Sequence, residues 1–171
     1  AGHHQAALRL AQLLEAELAF KEEDMRGALK SLSSAANTAT WQRPELIFIS
    51  QAVSRLHAVS PDEENASLLA KAVLNLQRWV LQNPQDAQVW QVLAAALSAQ
   101  GRPLASLRAE GEAQLARSDV GAAVDRLRAA QDASRRLPAQ MGDHIEASIV
   151  DARLRHAQSL LKEQMLERQE R

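Results

Sequence analysis

The chain of 171 residues is predicted to be all-α, with about eight helices that pack as antiparallel neighbours. Hydrophobic residues make up 46% of the sequence and aromatic residues only 3%. The apolar content is therefore mainly alanine and leucine, which favour helix over sheet. Apolar residues recur at helical spacing in each segment. The breaks between segments are short, and short connections join helices that lie antiparallel.

Proline, glycine and polar residues separate the predicted helices. These helices span residues 4–21, 25–39, 44–57, 62–82, 86–99, 103–117, 120–136 and 143–168. The most strand-like run, residues 46–49, follows Pro44, and proline is favoured in the first turn of a helix. Apolar residues then continue at helical spacing through Leu56. The sequence therefore predicts no strand.

Two helix starts have the residues of a capping box. Ser60 is predicted as an N-cap, with Pro61 in the first turn and Glu63 reaching back to the amide of the cap. Asp143 and Glu146 repeat this arrangement at the start of the last helix. These signals fix the expected beginnings of the fourth and eighth helices.

A repeated pattern is clearest in residues 86–136. Trp90, Leu93, Ala94 and Leu97, followed by Gly101, fit the tetratricopeptide (TPR) pattern of an aromatic, a leucine, a small and a large residue. Ala94 and Leu97 stand where glycine and tyrosine are usual. The positions assigned to the repeat are Trp79, Trp90, Leu93, Ala94, Leu97, Gly101, Ala123, Leu127 and Ala130. Small residues at such positions let two helices of a hairpin approach closely.

The second half of the repeat occurs twice. Asp119, Val120, Ala123, Leu127 and Ala130 have the mutual spacing of Asp24, Met25, Ala28, Leu32 and Ala35. We therefore predict one TPR-like domain over residues 5–171, with hairpins stacked in a right-handed solenoid. Helix 143–168 has a charged outer side and is predicted to cap the array. A generic alanine-rich bundle is the alternative fold, and residues 1–4 are either native or the remnant of a tag or linker.

Three stretches carry a more specific resemblance. Residues 101–110, 123–131 and 143–154 resemble the C-terminal repeat region of bacterial BepA-like zinc metallopeptidases, over about residues 86–168. In that family a peptidase domain with an HExxH motif precedes TPR repeats, and the protein acts in the periplasm on outer-membrane protein quality control. The resemblance implies a periplasmic location and a recognition role for this region. The HExxH motif is absent from the chain, so no peptidase activity is implied for it.

The residues themselves indicate no catalytic or cofactor site. Zinc hydrolysis requires paired histidines with a glutamate, and no such motif is present among the five histidines. An activated serine nucleophile and a glycine-rich phosphate loop are also lacking. The net charge of −1 favours neither nucleic acid nor anionic lipid. The sequence predicts no enzyme, no cofactor and no membrane span, with zinc expected only in the absent peptidase domain.

The predicted partners are proteins or peptides, including the peptidase domain of the parent protein. The first helix of each TPR hairpin lines a concave surface. The candidate residues for this surface are Gln88, Gln91, Ala95, Ser98, Arg108 and Glu112. Trp79 and Trp90 are expected to pack within the repeat, and the place of Trp41 is less defined. A free-standing adaptor that assembles a complex is the alternative function.

The first helix is predicted to mediate weak self-association. Residues 4–21 carry leucines on more than one side, and a terminal helix is covered on only one side. The BepA-like resemblance implies that further protein precedes this helix and normally covers it, and without that region the exposed apolar surface favours a homodimer. We therefore expect weak, concentration-dependent dimerisation through residues 4–21.

Overall fold

The computed structural model describes residues 2–33, 42–136 and 143–170. These residues form eight α-helices and, in the described ranges, no strand. The helices are α1 (Gly2–Lys21), α2 (Met25–Ser33), α3 (Arg43–Val59), α4 (Glu63–Gln82), α5 (Ala87–Ala99), α6 (Pro103–Ala116), α7 (Val120–Arg136) and α8 (Asp143–Gln169). The all-α prediction is confirmed for this part of the chain. The predicted continuation of α2 to residue 39 lies outside the described residues.

The N-cap of α4 differs from the prediction. Asp62 caps the helix: its Oδ1 accepts the backbone amide of Asn65 at 2.8 Å, and its Oδ2 accepts the Ser60 hydroxyl at 3.1 Å. Ser60 therefore supports the cap without being the cap itself. At the start of α8, Glu146 pairs with Arg108 of α6. The prediction of Ser60 as N-cap was wrong because Asp62, which directly precedes α4, accepts the first-turn amide at that position.

The Asp62 cap makes the stability of this region dependent on pH. The Asn65 amide, together with the Ser60 hydroxyl and the charge of Arg26, lowers the pKa of Asp62 below its ordinary value of 3.8. A lowered pKa in the folded state means that the ionised carboxylate stabilises the fold above the unfolded pKa. This contribution is lost as the pH falls through the lower folded pKa.

We expect Asp62→Asn to be less stable than the unsubstituted chain at neutral pH. Asparagine keeps an oxygen that can cap the helix but carries no charge. The stability difference between the two proteins should shrink as the pH is lowered below about 4. Urea unfolding followed by circular dichroism at several pH values measures this difference. A difference that stays constant across the acid range would contradict the assignment.

The chain consists of two compact units, Ala1–Gln77 and Arg78–Arg171, whose boundary lies within α4. In the first unit α2 packs against both α1 and α3, and α1 also contacts α3. In the second unit α5 to α8 pack in sequence, and α6 also contacts α8. Helices α1 to α3 thus have the same contact pattern as α6 to α8. A single repeat domain over residues 5–171 stays a prediction.

The turn between α1 and α2 matches the turn between α6 and α7. Glu23 and Ser118 both adopt the left-handed conformation, each with φ of 62°. The aspartate that follows each of them caps the next helix: Asp24 Oδ1 accepts the Gly27 amide at 2.8 Å, and Asp119 Oδ1 accepts the Ala122 amide at 3.1 Å. The repeated aspartates found in the sequence are therefore N-caps of equivalent helices.

The predicted repeat positions lie largely in the core. Leu93, Ala94, Leu97, Ala123, Leu127 and Ala130 are all buried. In the second unit Val124 and Leu127 of α7 pack with Leu154 and Ala157 of α8. Gly101 is exposed and has φ of 71°, and the Arg102 amide donates to Leu97 O at 3.0 Å. That geometry is a Schellman closure, for which glycine is the favoured residue.

Helix α8 buries only the middle of its apolar stripe. Val150, Leu154 and Ala157 are buried, whereas Ile145 and Met165 are 71% and 58% exposed. Of the predicted charged outer side, Arg155, Lys162, Glu163 and Arg168 are exposed, whereas Asp151 is half-buried and accepts a hydrogen bond from Gln131 of α7. Helix α8 therefore closes the second unit with its central turns.

Candidate functional site

A groove in the second unit is the strongest candidate site. It has a volume of about 360 Å³ and lies between α5, α6 and the first half of α7. Its lining residues are Gln91, Ala94, Ala95, Ser98, Ser106, Glu110, Ala113, Gln114 and Arg126. The groove has small residues on its floor and polar residues along its edge.

The floor of the groove exists because α5 and α6 approach closely. Ala94 and Ala113 are buried, and neither has a side chain large enough to hold the helices apart. Ser106 is also buried, and its hydroxyl donates to Ala94 O at 2.8 Å. This bond satisfies the hydroxyl inside the protein and fixes α6 against α5.

The edge of the groove carries amides and one ion pair. Gln91 and Gln114 each offer an amide donor and an acceptor. Arg126 Nε lies 3.4 Å from Glu110 Oε2, with the two side chains 54% and 38% exposed. Exposed ion pairs of this kind contribute little to stability. The pair can therefore separate at small cost when a ligand contacts either side chain.

Three of the six predicted surface residues line this groove together. They are Gln91, Ala95 and Ser98, which lie on one side of α5. Gln88 is exposed on α5 outside the lining of the groove. The structure places Arg108 and Glu112 elsewhere, on the face of α6 that contacts α8. Both of them pair with oppositely charged residues of that helix.

The pairing between α6 and α8 was not anticipated from the sequence. Glu112 is buried and accepts two hydrogen bonds from Arg153, with Nε to Oε1 at 2.5 Å and Nη2 to Oε2 at 2.6 Å. Arg108 pairs with Glu146 on the same face. Residues 108 and 112 are one turn apart, so helical spacing predicts that they share a face of α6, but it does not say which helix that face contacts.

An ion pair also joins the first and third helices of the first unit, although at a different position along them. Arg9 Nη2 lies 3.0 Å from Glu45 Oε1, which joins α1 to α3. Glu45 is buried, and among the described residues its Oε2 has no hydrogen-bond partner. In both units, therefore, an arginine–glutamate contact holds the first helix of the hairpin to the helix that follows the hairpin.

Both described tryptophans fix the turn between α4 and α5. Trp79 Nε1 donates to Asp86 Oδ2 at 3.0 Å, and Asp86 Oδ1 accepts the Val89 amide at 3.3 Å. Trp90 Nε1 donates to Pro84 O at 2.9 Å. These contacts give Trp79 and Trp90 a structural role. Trp41 lies outside the described residues.

A second cavity belongs to the first unit. It has a volume of about 610 Å³ and is lined by Glu23, Asp24, Met25, Arg26, Arg55, Leu56, Ala58 and Val59. The Arg55 guanidinium lies 4.2 Å from the centre of the Phe20 ring, a cation–π contact that keeps its charge near the cavity. Acidic and basic residues are mixed along this lining, so it presents no single sign of charge.

The described residues contain no cluster of three or more metal-ligating side chains. Of the histidines, His4, His144 and His156 are exposed, whereas His57 is half-buried. Within the same residues no helix has the length and apolar character needed to cross a membrane.

Neither family models, curated proteins nor solved structures contain a match to this chain. Its function must therefore be argued from its own residues. The internal repeat and the groove are the two features that bear on it.

Proposed function

We propose that this chain is a non-catalytic protein–protein interaction module of the TPR type, and that the groove between α5, α6 and α7 binds an extended peptide. The main observation in support of this proposal is the composition of the groove. Alanines on its floor leave room for a polypeptide backbone, and the amides of Gln91 and Gln114 can donate to and accept from peptide groups. A surface without clustered cations suits backbone recognition better than capture of a terminal carboxylate.

The repeat supports the finer assignment of the fold. Helices α1 to α3 and α6 to α8 share a hairpin turn, an aspartate cap and an ion pair to the third helix. Repeats of one unit that each bury a face against the next are the basis of a TPR solenoid. We propose stacked hairpins of this type with a right-handed superhelix.

The parent protein is proposed to be a periplasmic zinc metallopeptidase of the BepA-like type, acting in outer-membrane protein quality control. The support is the resemblance of residues 101–110, 123–131 and 143–154 to the repeat region of that family. In this proposal the module holds a substrate or partner for the peptidase domain, and zinc is bound only by that domain. An HExxH domain encoded upstream in the same reading frame would support it, whereas an upstream start codon without one would favour a free-standing adaptor.

Ala95→Trp tests the proposed groove. Peptides are first selected from a phage-displayed random library on the unsubstituted chain, and their binding is then measured by fluorescence anisotropy. Ala95 is exposed on the lining of the groove, so an indole there should fill the groove and leave the core intact. We expect affinity for groove-directed peptides to fall by about tenfold or more.

Ala129→Trp is the matched control for this measurement. Ala129 is also exposed on a helix, but it lies outside the lining of the groove. Its substitution should leave the anisotropy titration unchanged. Peptide binding that survives Ala95→Trp, or that both substitutions weaken equally, would contradict the groove as the binding site.

A further inference from the structure

An exposed leucine stripe runs along α1. Leu10, Leu14 and Leu18 lie at successive turns of the helix and are 59%, 58% and 58% exposed. Residues separated by four positions lie on the same side of a helix. Three large apolar side chains are therefore left in solvent on one face, which we call the leucine stripe of α1.

Helix α6 is the counterpart of α1 in the second unit, so its corresponding face shows what the leucine stripe could contact. Counted back from the left-handed turn residues Glu23 and Ser118, the leucine stripe corresponds to Ala105, Ala109 and Ala113 of α6. These three alanines are 3%, 0% and 1% exposed. The same positions are thus buried in one unit and exposed in the other.

Helix α5 lies along the buried counterpart of the stripe. Ser106, next to Ala105, donates to Ala94 O of α5, and Ala113 shares the lining of the groove with Ala94. Because α5 ends at Ala99 and α6 begins at Pro103, the two helices are antiparallel. An antiparallel helix is therefore the element that this face accepts within the fold.

We propose that the leucine stripe of α1 binds the same stripe of a second copy of the chain, as a pair of antiparallel α1 helices. In this arrangement Leu14 faces Leu14 of the second copy across the two-fold axis, and Leu10 faces Leu18. The chain forms its own partner because an isologous interface needs only one self-complementary surface. This inference concerns a surface separate from the groove of the proposed function.

The charges along α1 favour the antiparallel orientation. The first turn contains no acidic residue, whereas Glu15, Glu17 and Glu22 lie in or just after the other half of the helix, where Lys21, 3.2 Å from Glu17, offsets one of these three charges. Antiparallel pairing places this acidic half beside the N-terminal end of the other α1, where the helix dipole is positive. Parallel pairing would place the acidic halves side by side.

The size of the stripe implies a weak dimer. A stable interface normally uses about 20–30 residues on each side, and the stripe offers three leucines with their immediate neighbours. The chain should therefore be a monomer at low protein concentration and a dimer at high concentration. Analytical ultracentrifugation of the full chain at a series of protein concentrations should show this conversion.

Substitution at the two-fold axis tests the interface. Leu14→Glu would place two like charges opposite each other, and we expect the dissociation constant of the dimer to rise by about tenfold or more. Leu166→Glu is the matched control, because Leu166 is 50% exposed on α8. It should leave the dissociation constant unchanged. Circular dichroism verifies that both variants keep their helix content.

Disulfide trapping tests the orientation, since the chain contains no cysteine. A mixture of Leu10→Cys and Leu18→Cys chains should form the mixed disulfide in preference to either homodimeric disulfide. Preferred homodimeric disulfides would show parallel packing and overturn the proposal. A chain that stays monomeric at all concentrations, or a dimer that Leu14→Glu leaves unchanged, would overturn it as well.

Discussion

Replacing Leu127 with alanine is expected to lower the free energy of unfolding of the second unit by about 3 to 4 kcal/mol. Leu127 is fully buried and packs with Val124, Leu154 and Ala157 at the contact between α7 and α8. Truncation removes apolar contacts and leaves a cavity that rigid helices on either side cannot close. Urea unfolding in a Trp41→Phe background, followed by the fluorescence of Trp79 and Trp90, reports on this unit.

Substitution of Gly111 tests whether the effect of Leu127→Ala arises at the contact between α6 and α7. A Cβ built on Gly111 would lie 2.7 Å from Leu127 Cγ, so Gly111→Ala alone should destabilise the protein by about 1 to 2 kcal/mol. In the Leu127→Ala background the clash is gone, and the same change should become neutral or stabilising because alanine favours helix. Such a reversal requires that the two residues contact each other.

Gly121→Ala is the matched control for Gly111→Ala. The nearest atom to a Cβ at Gly121 would be Asp119 Oδ1 at 4.0 Å, so alanine fits without a clash. Because Gly121 is the second residue of α7, stability should stay unchanged or rise by at most about 0.5 kcal/mol. If Gly111→Ala also stabilised the unsubstituted chain, the close approach of α6 and α7 at this point would be disproved.

Replacing Arg153 with methionine is expected to cost about 2 to 3 kcal/mol. The change removes both hydrogen bonds to Glu112 and leaves that buried carboxylate without its guanidinium partner. A fully buried charge left unpaired costs 3–5 kcal/mol. We expect less here because the Arg153 side chain is 36% exposed. Chemical denaturation measures the difference.

Two further variants test whether the loss of stability in Arg153→Met comes from the unpaired carboxylate of Glu112. The double substitution Glu112→Gln with Arg153→Met should be less destabilising than the sum of the single changes, because no charge is then left unpaired. Arg126→Met removes the exposed partner of Glu110 and should cost at most about 0.5 kcal/mol. Equal losses for Arg126→Met and Arg153→Met would show that burial does not strengthen the second pair.

The helices were predictable because local signals agree along the chain. Helix α7 has the bounds that its spacing of apolar residues predicted, Val120–Arg136, and the structure shows Asp119 as its N-cap. Asp62 was missed as a cap because serine followed by proline is also a strong start signal. A choice between neighbouring cap residues depends on side-chain geometry, which spacing alone does not determine.

The candidate site was predictable on one helix and not on the next. Gln91, Ala95 and Ser98 share one side of α5, so helical periodicity alone placed them together. For Arg108 and Glu112, periodicity gave a common face but not its neighbour. That face contacts α8, because Glu146 and Arg153 provide the opposite charges there. Packing between helices is a long-range property that a repeat pattern does not specify.

The turns between α1 and α2 and between α6 and α7 each contain a residue in the left-handed conformation, and neither residue is glycine. A non-glycine residue in that conformation costs roughly 1–2 kcal/mol, yet glutamate at position 23 and serine at position 118 both adopt it. The aspartate caps and the buried contacts of each hairpin must outweigh that strain. The hairpin therefore forms without a glycine at the turn. A repeat signature that requires glycine at this position would find the α5–α6 turn, which has Gly101, and would miss these two.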